Sequence, residues 1–349
     1  MISDMNFQGK GLWKNNLYIQ ALRFGAGLTD QKEQNRRRSR GYVEDFVIED
    51  RSKMPESEMH QCTSYFSASP KGCVVIVADD MGKSESVNRA IAEAHDEGIL
   101  TAASIMAGGE AFDDAAHTAL ERSRLSPGLH LTLCDGKAVL PHSSIPDITD
   151  HDGNFIKDPF SAGLHYTRPG LLAQIEAEVA AQFERLERAG IRPHHVDGHH
   201  HLHMHPVIFE VLCRQASRRD ICWIRLPNEP LSMVKAFRSP SRGTLPFVEW
   251  AVFGILGKYN ARTARKYGML SAARVCGLSR TGNIDEQFFL DIMELTGTEI
   301  SEIFTHPDTA TPAGRLELAA LVSPSVYNLI KELHKLPVGY KDFTAPKKS

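Results

Sequence analysis

Three observations in the sequence predict an α/β fold built on parallel strands. The run CVVIVADD, residues 73–80, is continuously apolar and β-branched until it ends in two aspartates, the form of a strand buried on both faces. Strand-like and helix-like segments then alternate, a rhythm that favours parallel pairing. Polar residues far apart in sequence also share one address, the carboxyl ends of predicted strands, where parallel α/β folds bind ligands.

Each element has a local reason. Ser84 can cap a helix that runs to about His95, with Glu85 in its first turn and Gly98 beyond its end. ILTAASIMA (99–107) predicts a second strand, residues 111–122 a second helix, and GLHLTL (128–133) a third strand. Pro, Asp, His and Gly dominate residues 141–169, which predict a long loop of the kind that shapes pockets. Leu172, Ile175, Val179, Phe183 and Leu186 recur on one face of the next segment, a helix closed by Gly190. RPHHV (192–196) predicts a short strand, and Pro206 opens another helix. CWIRLP (222–227) predicts a strand, residues 246–268 and FFLDIMELTG (288–297) predict helices, and EISEIFTHP (299–307) a last strand.

Composition sets broad limits. The 349 residues suffice for one large α/β domain or two ordinary ones, and 42% hydrophobic residues permit a sizeable core. A net charge of -3 gives no global reason to expect nucleic acid as a partner. Six scattered cysteines with no CxxC pair suggest neither a thiolate zinc site nor a disulfide framework, so a cytoplasmic protein is expected. No signal peptide or spanning segment is evident; the apolar FVEWAVFGILG (247–257) is too short to cross a bilayer. Residues 1–72 are polar with little periodicity and are expected to form a poorly ordered extension; RRRSR (36–40) within it could meet an anionic partner. Residues 73–345 are expected to form the folded domain.

The densest polar feature is HHVDGHHHLHMHP (194–206), with seven of the chain's 16 histidines. It is either a metal-binding low-complexity tract or an ordered junction; Val196, Leu202, Met204 and the helix-opening Pro206 favour the junction. Asp79 and Asp80 follow the first strand, His199 follows the HHV strand, and His306 ends the last. Alternation places His130 and Thr132 opposite Leu129, Leu131 and Leu133. Two adjacent buried carboxylates repel unless a cation sits between them, and one carboxylate with two imidazoles is a fitting donor set that leaves positions open. The plainer readings are a turn at Asp79-Asp80, a satisfied interior His130, and a His306 that merely finishes its strand.

In order along the chain, VADDMG, GLHLTL, VDGHHHLHMHP and THP together resemble the motifs of the YdjC-like carbohydrate deacetylases, with Met81 where that family usually has phenylalanine. The resemblance covers about residues 73–345. It implies a deformed (β/α) barrel of mostly parallel strands, related to polysaccharide-deacetylase barrels, and metal-dependent removal of an N-acetyl group from an N-acetylglucosamine-type sugar. GLHLTLCDGKAVLP and IRLPNEP resemble the hopanoid-biosynthesis-associated branch, which implies a hopanoid-linked glycoside. By the same resemblance, Asp80, His130 and His199 hold one divalent ion, magnesium or zinc. Asp79 is then the general base and His306 the acid for the departing amine. Asp197 orients an imidazole or lies with His201 and Arg225 along the substrate, although a structural salt bridge suits Arg225 equally. The segment 245–257 is either a lipid-facing wall or an ordinary packing helix. Competing functions are a metal phosphohydrolase and a non-enzymatic metal buffer or sensor. A homodimer and peripheral membrane contact stay open.

Overall fold

The computed structural model describes residues 72–237 and 243–343. The expectations for residues 1–71, including the basic run 36–40, lie outside the described residues.

Eight strands are named here in chain order: β1 (Cys73–Met81), β2 (Ala102–Ile105), β3 (Ser126–Leu131), β4 (His195–Gly198), β5 (Trp223–Ile224), β6 (Arg274–Cys276), β7 (Ser301–Thr305) and β8 (Leu336–Pro337). They form one sheet in the order β5-β4-β3-β2-β1-β7-β6, with β8 on the start of β1, and every pairing between them is parallel. Trp223 also forms a single parallel bridge to Leu270, just ahead of β6, which draws the two edges of the sheet toward each other. The result is a curled α/β sheet, an incompletely closed barrel with helices outside it.

Strand alternation sorts the core into two layers. Cys73, Val75 and Val77 of β1 pack inside the curl with Trp223, Val275, Phe304 and Tyr340. Val74, Ile76 and Ala78 face outward against the helices, with Leu129, Leu131 and Val196. Ten α-helices lie among the described residues: α1 (Glu85–Asp96), α2 (Phe112–Glu121), α3 (Pro159–His165), α4 (Leu172–Arg188), α5 (Pro206–Ser217), α6 (Leu231–Phe237), α7 (Leu245–Lys266), α8 (Glu286–Leu295), α9 (Pro312–Leu321) and α10 (Pro324–Glu332). Ser84 caps α1 as expected, accepting the Val87 N–H at 3.3 Å. The apolar face of α4 is buried at Ile175, Val179, Phe183 and Leu186, whereas Leu172 is exposed.

Several expectations are corrected in extent. β2 is shorter than predicted because the Ile99 and Leu100 N–H groups turn away to the carbonyls of Leu321 and Ala94. The predicted loop 141–169 contains α3, capped by Asp158 on the Ser161 N–H at 2.7 Å, and buries Ile145, Ile148, Phe155 and Tyr166. Three buried glutamates fasten the segments around the strand ends. Glu178 accepts the N–H groups of Val139 and Leu140, Glu229 those of Gly277 and Ser279, and Glu317 those of Gly282 and His306. Among the described residues, no helix is long and apolar enough to cross a membrane.

Candidate active site

Asp79 belongs by alternation to the inner face of β1, and Asp80 should therefore point outward. It does not. Asp80 adopts a left-handed backbone (φ 64), and the β1–β2 register shifts between Ala78 and Met81. This break costs a non-glycine residue conformational energy, and it turns both carboxylates toward one site. Strand alternation would send the two side chains to opposite faces, and this twist overrides it.

Across the sheet, β3 and β4 pair His130 with Asp197. His130 Nδ1 lies 2.7 Å from Asp197 Oδ1, while its Nε2 lies 3.2 Å from Asp80 Oδ1. His199, just beyond β4, brings Nδ1 to 2.8 Å from the same Asp80 oxygen. All three side chains are buried. Yet Asp80 Oδ1 and His199 Nε2 have no aligned hydrogen-bond partner among the described residues. Close approach without a well-aligned bond is what side chains gathered around a shared cation look like. One ligand atom from each of Asp80, His130 and His199 lies within 4.8 Å of the other two. This donor set fits a divalent metal ion.

The electrostatics point the same way. Burial opposes the charge on Asp80, but His130 and His199 outweigh it and hold the carboxyl well below its usual range. Burial likewise disfavours a charged His130, yet Asp197 and Asp79 pull its pKa up to about 10. The site thus draws positive charge to itself. His199 shifts the other way: burial lowers it, against the pull of Asp80.

Beneath these groups lies Arg225, only 1% exposed. Its Nη1 and Nη2 donate to Asp79 Oδ2 and Oδ1 at 2.6 and 2.8 Å, a bidentate pair. Nη2 also lies 2.9 Å from Asp197 Oδ2, and Nε donates to Glu302, which accepts from Tyr340 as well. The expected contact of Arg225 with sugar is corrected: its guanidinium is spent on three carboxylates under the site. Asp197, with no exposure, is also withdrawn from substrate contact. It accepts from His130 and from Ser104 Oγ at 2.6 Å, so it orients the imidazole. His201 is half-buried between the rings of Phe304 and Phe253, at centroid distances of 5.0 and 5.5 Å. His306 is partly exposed, with Nε2 3.8 Å from Asp79 Oδ2.

The remaining histidines of the tract diverge. His195 Nε2 lies 3.0 Å from Ser104 Oγ, and a Cβ on Gly128 would stand 2.3 Å from its ring, so β3 needs glycine there. His203 Nε2 meets the Arg225 carbonyl at 3.0 Å. His200 is exposed and lies 3.2 Å from Asp135 Oδ2. Sequence reasoning missed Ser104, Asp135, Glu302 and Tyr340. Glu302, a charged residue on the inner face of an apolar strand, was the one with a visible signal.

Comparison with known proteins adds a family. A sequence profile described as YdjC-like protein matches residues 73–332. A carbohydrate deacetylase of Brevibacillus brevis is 36% identical over 143 residues, 41% of this chain and 55% of the relative. A chitooligosaccharide deacetylase of Salmonella typhimurium is 34% identical over 175 residues, 50% of this chain and 67% of the relative. The match thus spans between about half and two thirds of these curated relatives. An Enterococcus faecalis crystal structure, named for cellobiose-phosphate cleavage, superposes with a TM-score of 0.62 at 22% identity, covering 79% of this chain and 100% of the other. It shows the shared fold.

Proposed function

The chain belongs to the YdjC-like protein family, and from that premise we propose that it removes the N-acetyl group from an N-acetylglucosamine-type sugar by metal-dependent hydrolysis. The observation that carries this reading is the buried Asp80 oxygen, approached by two imidazoles without an aligned hydrogen bond. Asp80, His130 and His199 would hold one divalent ion, and their two imidazoles favour zinc over magnesium. When bound, such an ion polarises a carbonyl and lowers the pKa of water.

The chain's own groups supply the proton transfers. Asp79 takes a proton from the attacking water. Arg225 fixes its orientation, and each carboxylate oxygen keeps a second lone pair free for that proton. Water oxygen bonds to the acetyl carbon as the carbon–nitrogen bond breaks. His306, across from Asp79, gives a proton to the departing nitrogen, which leaves as an amine rather than an amide anion. Asp197 accepts from His130 Nδ1 and fixes the ring so that Nε2 faces Asp80, where it would meet the ion once its proton has left.

For the substrate's other end, we assign a hopanoid-type apolar group. Support comes from the motif resemblance and from α7, which sets Phe253 against His201 and leaves Trp250 on the surface. The test is acetate release from N-acetylglucosamine-bearing substrates, with and without a chelator. Release that stops on chelation and returns with metal is expected; no release from any of them would remove the proposal.

A further inference from the structure

His199 stands between two groups of ligand-type side chains. One is the Asp80–His130 set. The other is Asp135 and His200, on the opposite edge of the same ring. Asp135 Oδ2 lies 3.2 Å from His200 Nε2 and 3.9 Å from His199 Nε2. His199 is buried, and this Nε2 is the atom that has no hydrogen-bond partner among the described residues. One ligand atom from each of Asp135, His199 and His200 lies within 4.8 Å of the other two. Atoms bound to one ion at about 2 Å stand roughly 3 to 4 Å apart, so these separations suit a shared ion.

The local backbone also holds the cluster together. Asp135, His200 and His201 all adopt left-handed conformations, with φ of 45, 51 and 54. The turn at His200 and His201 interrupts the short helical run that follows β4, at the point where His200 meets Asp135. His200 and Asp135 remain partly open to solvent, with side-chain exposures of 41% and 32%, which gives an ion a way in.

We propose that Asp135, His199 and His200 form a second, weaker site for a transition-metal ion of the zinc, cobalt or nickel kind. Two imidazoles and one carboxylate select such ions over magnesium or calcium. Each ion approaches a different nitrogen of His199. Holding both at once removes the last ring proton of His199 to solvent, and for that reason the second ion binds less tightly. The site makes the chain sensitive to excess zinc, and it stands independently of the substrate assigned above.

The experiment counts zinc per chain. Untagged full-length protein, stripped by a chelator, is dialysed to equilibrium at fixed free zinc concentrations and assayed by elemental analysis. Wild type is expected to take up two ions in separable steps. His200→Ala and Asp135→Asn are expected to lose the weaker step and keep the tighter one, while Asp80→Asn loses the tighter. Fewer than two ions in wild type, or survival of the weaker step in either His200→Ala or Asp135→Asn, overturns the second site. Loss of the tighter step in Asp80→Asn reports separately on the other ligand set.

Discussion

Buried histidines in this chain have opposite charge preferences, set by what each ring faces. His130 faces carboxylates and is drawn toward the protonated form, with a pKa of about 10. His195 is pushed down to about 3 by burial, which outweighs the opposing pull of Asp197. Burial also lowers His203 and His205, each to about 4. In the unfolded chain all three would titrate near their ordinary value of about 6.5. Between that value and the folded ones, the unfolded state binds more protons. Their stabilising contribution is therefore full above about pH 6.5 and is lost as pH falls toward 4. Each pKa unit corresponds to about 1.4 kcal/mol per histidine. Denaturant midpoints measured from pH 7 to pH 4 should fall steeply, with the loss starting above the range where unfolded carboxylates titrate. A flat profile between pH 6.5 and 5 would contradict the neutral burial of these rings. Arg225 shows the other side of the same rule. Burial works against its charge, but Asp197, Asp79 and Glu302 raise its pKa well above the usual value, so it stays charged beneath the site.

At the scale of elements, α7 carries the proposed contact with an apolar group. Its inner stripe, Leu256, Asn260 and Ala264, is buried, and Asn260 Nδ2 donates to the Met204 carbonyl at 2.8 Å, fastening the helix to the histidine segment. Phe253 is half-buried against the core, one turn from the exposed Trp250, and Val248, Ile255 and Tyr259 are also exposed. If the helix is a wall for an apolar aglycone, Trp250→Ala should slow turnover of a lipid-linked N-acetylglucosaminide by about 10-fold, the scale of one apolar contact that the bound substrate would cover. It should leave a soluble chitooligosaccharide unaffected. Equal rates on both substrates, unchanged by the substitution, would make α7 an ordinary packing helix. The helix was legible in the sequence from its length and pattern. By contrast, β6 and β8, with three and two residues, carry no periodicity to detect. In β5 only Trp223 and Ile224 belong to the named strand, too short a run for alternation to show that Arg225 points inward.

At the scale of the molecule, the parallel curl makes the site possible. β1, β3, β4 and β5 deliver Asp79 and Asp80, His130, Asp197 and Arg225 to the same end, and β7 adds His306. That much was readable, because strand ends in a parallel sheet converge wherever the strands are correctly placed. The left-handed turn at Asp80 was not, since alternation alone sends its side chain outward. Nor was the floor of Arg225, Glu302 and Tyr340, which joins residues from three distant parts of the chain. In the proposed reaction, Asp79 acts on water beside an ion held by Asp80, His130 and His199. Acetate release and bound metal, measured together in wild type and Asp79→Asn, test it most directly. The substituted chain should keep its tight metal ion and lose at least about 100-fold in turnover, the scale of a missing general base. Acetate release at the wild-type rate from metal-loaded Asp79→Asn would remove Asp79 from that role.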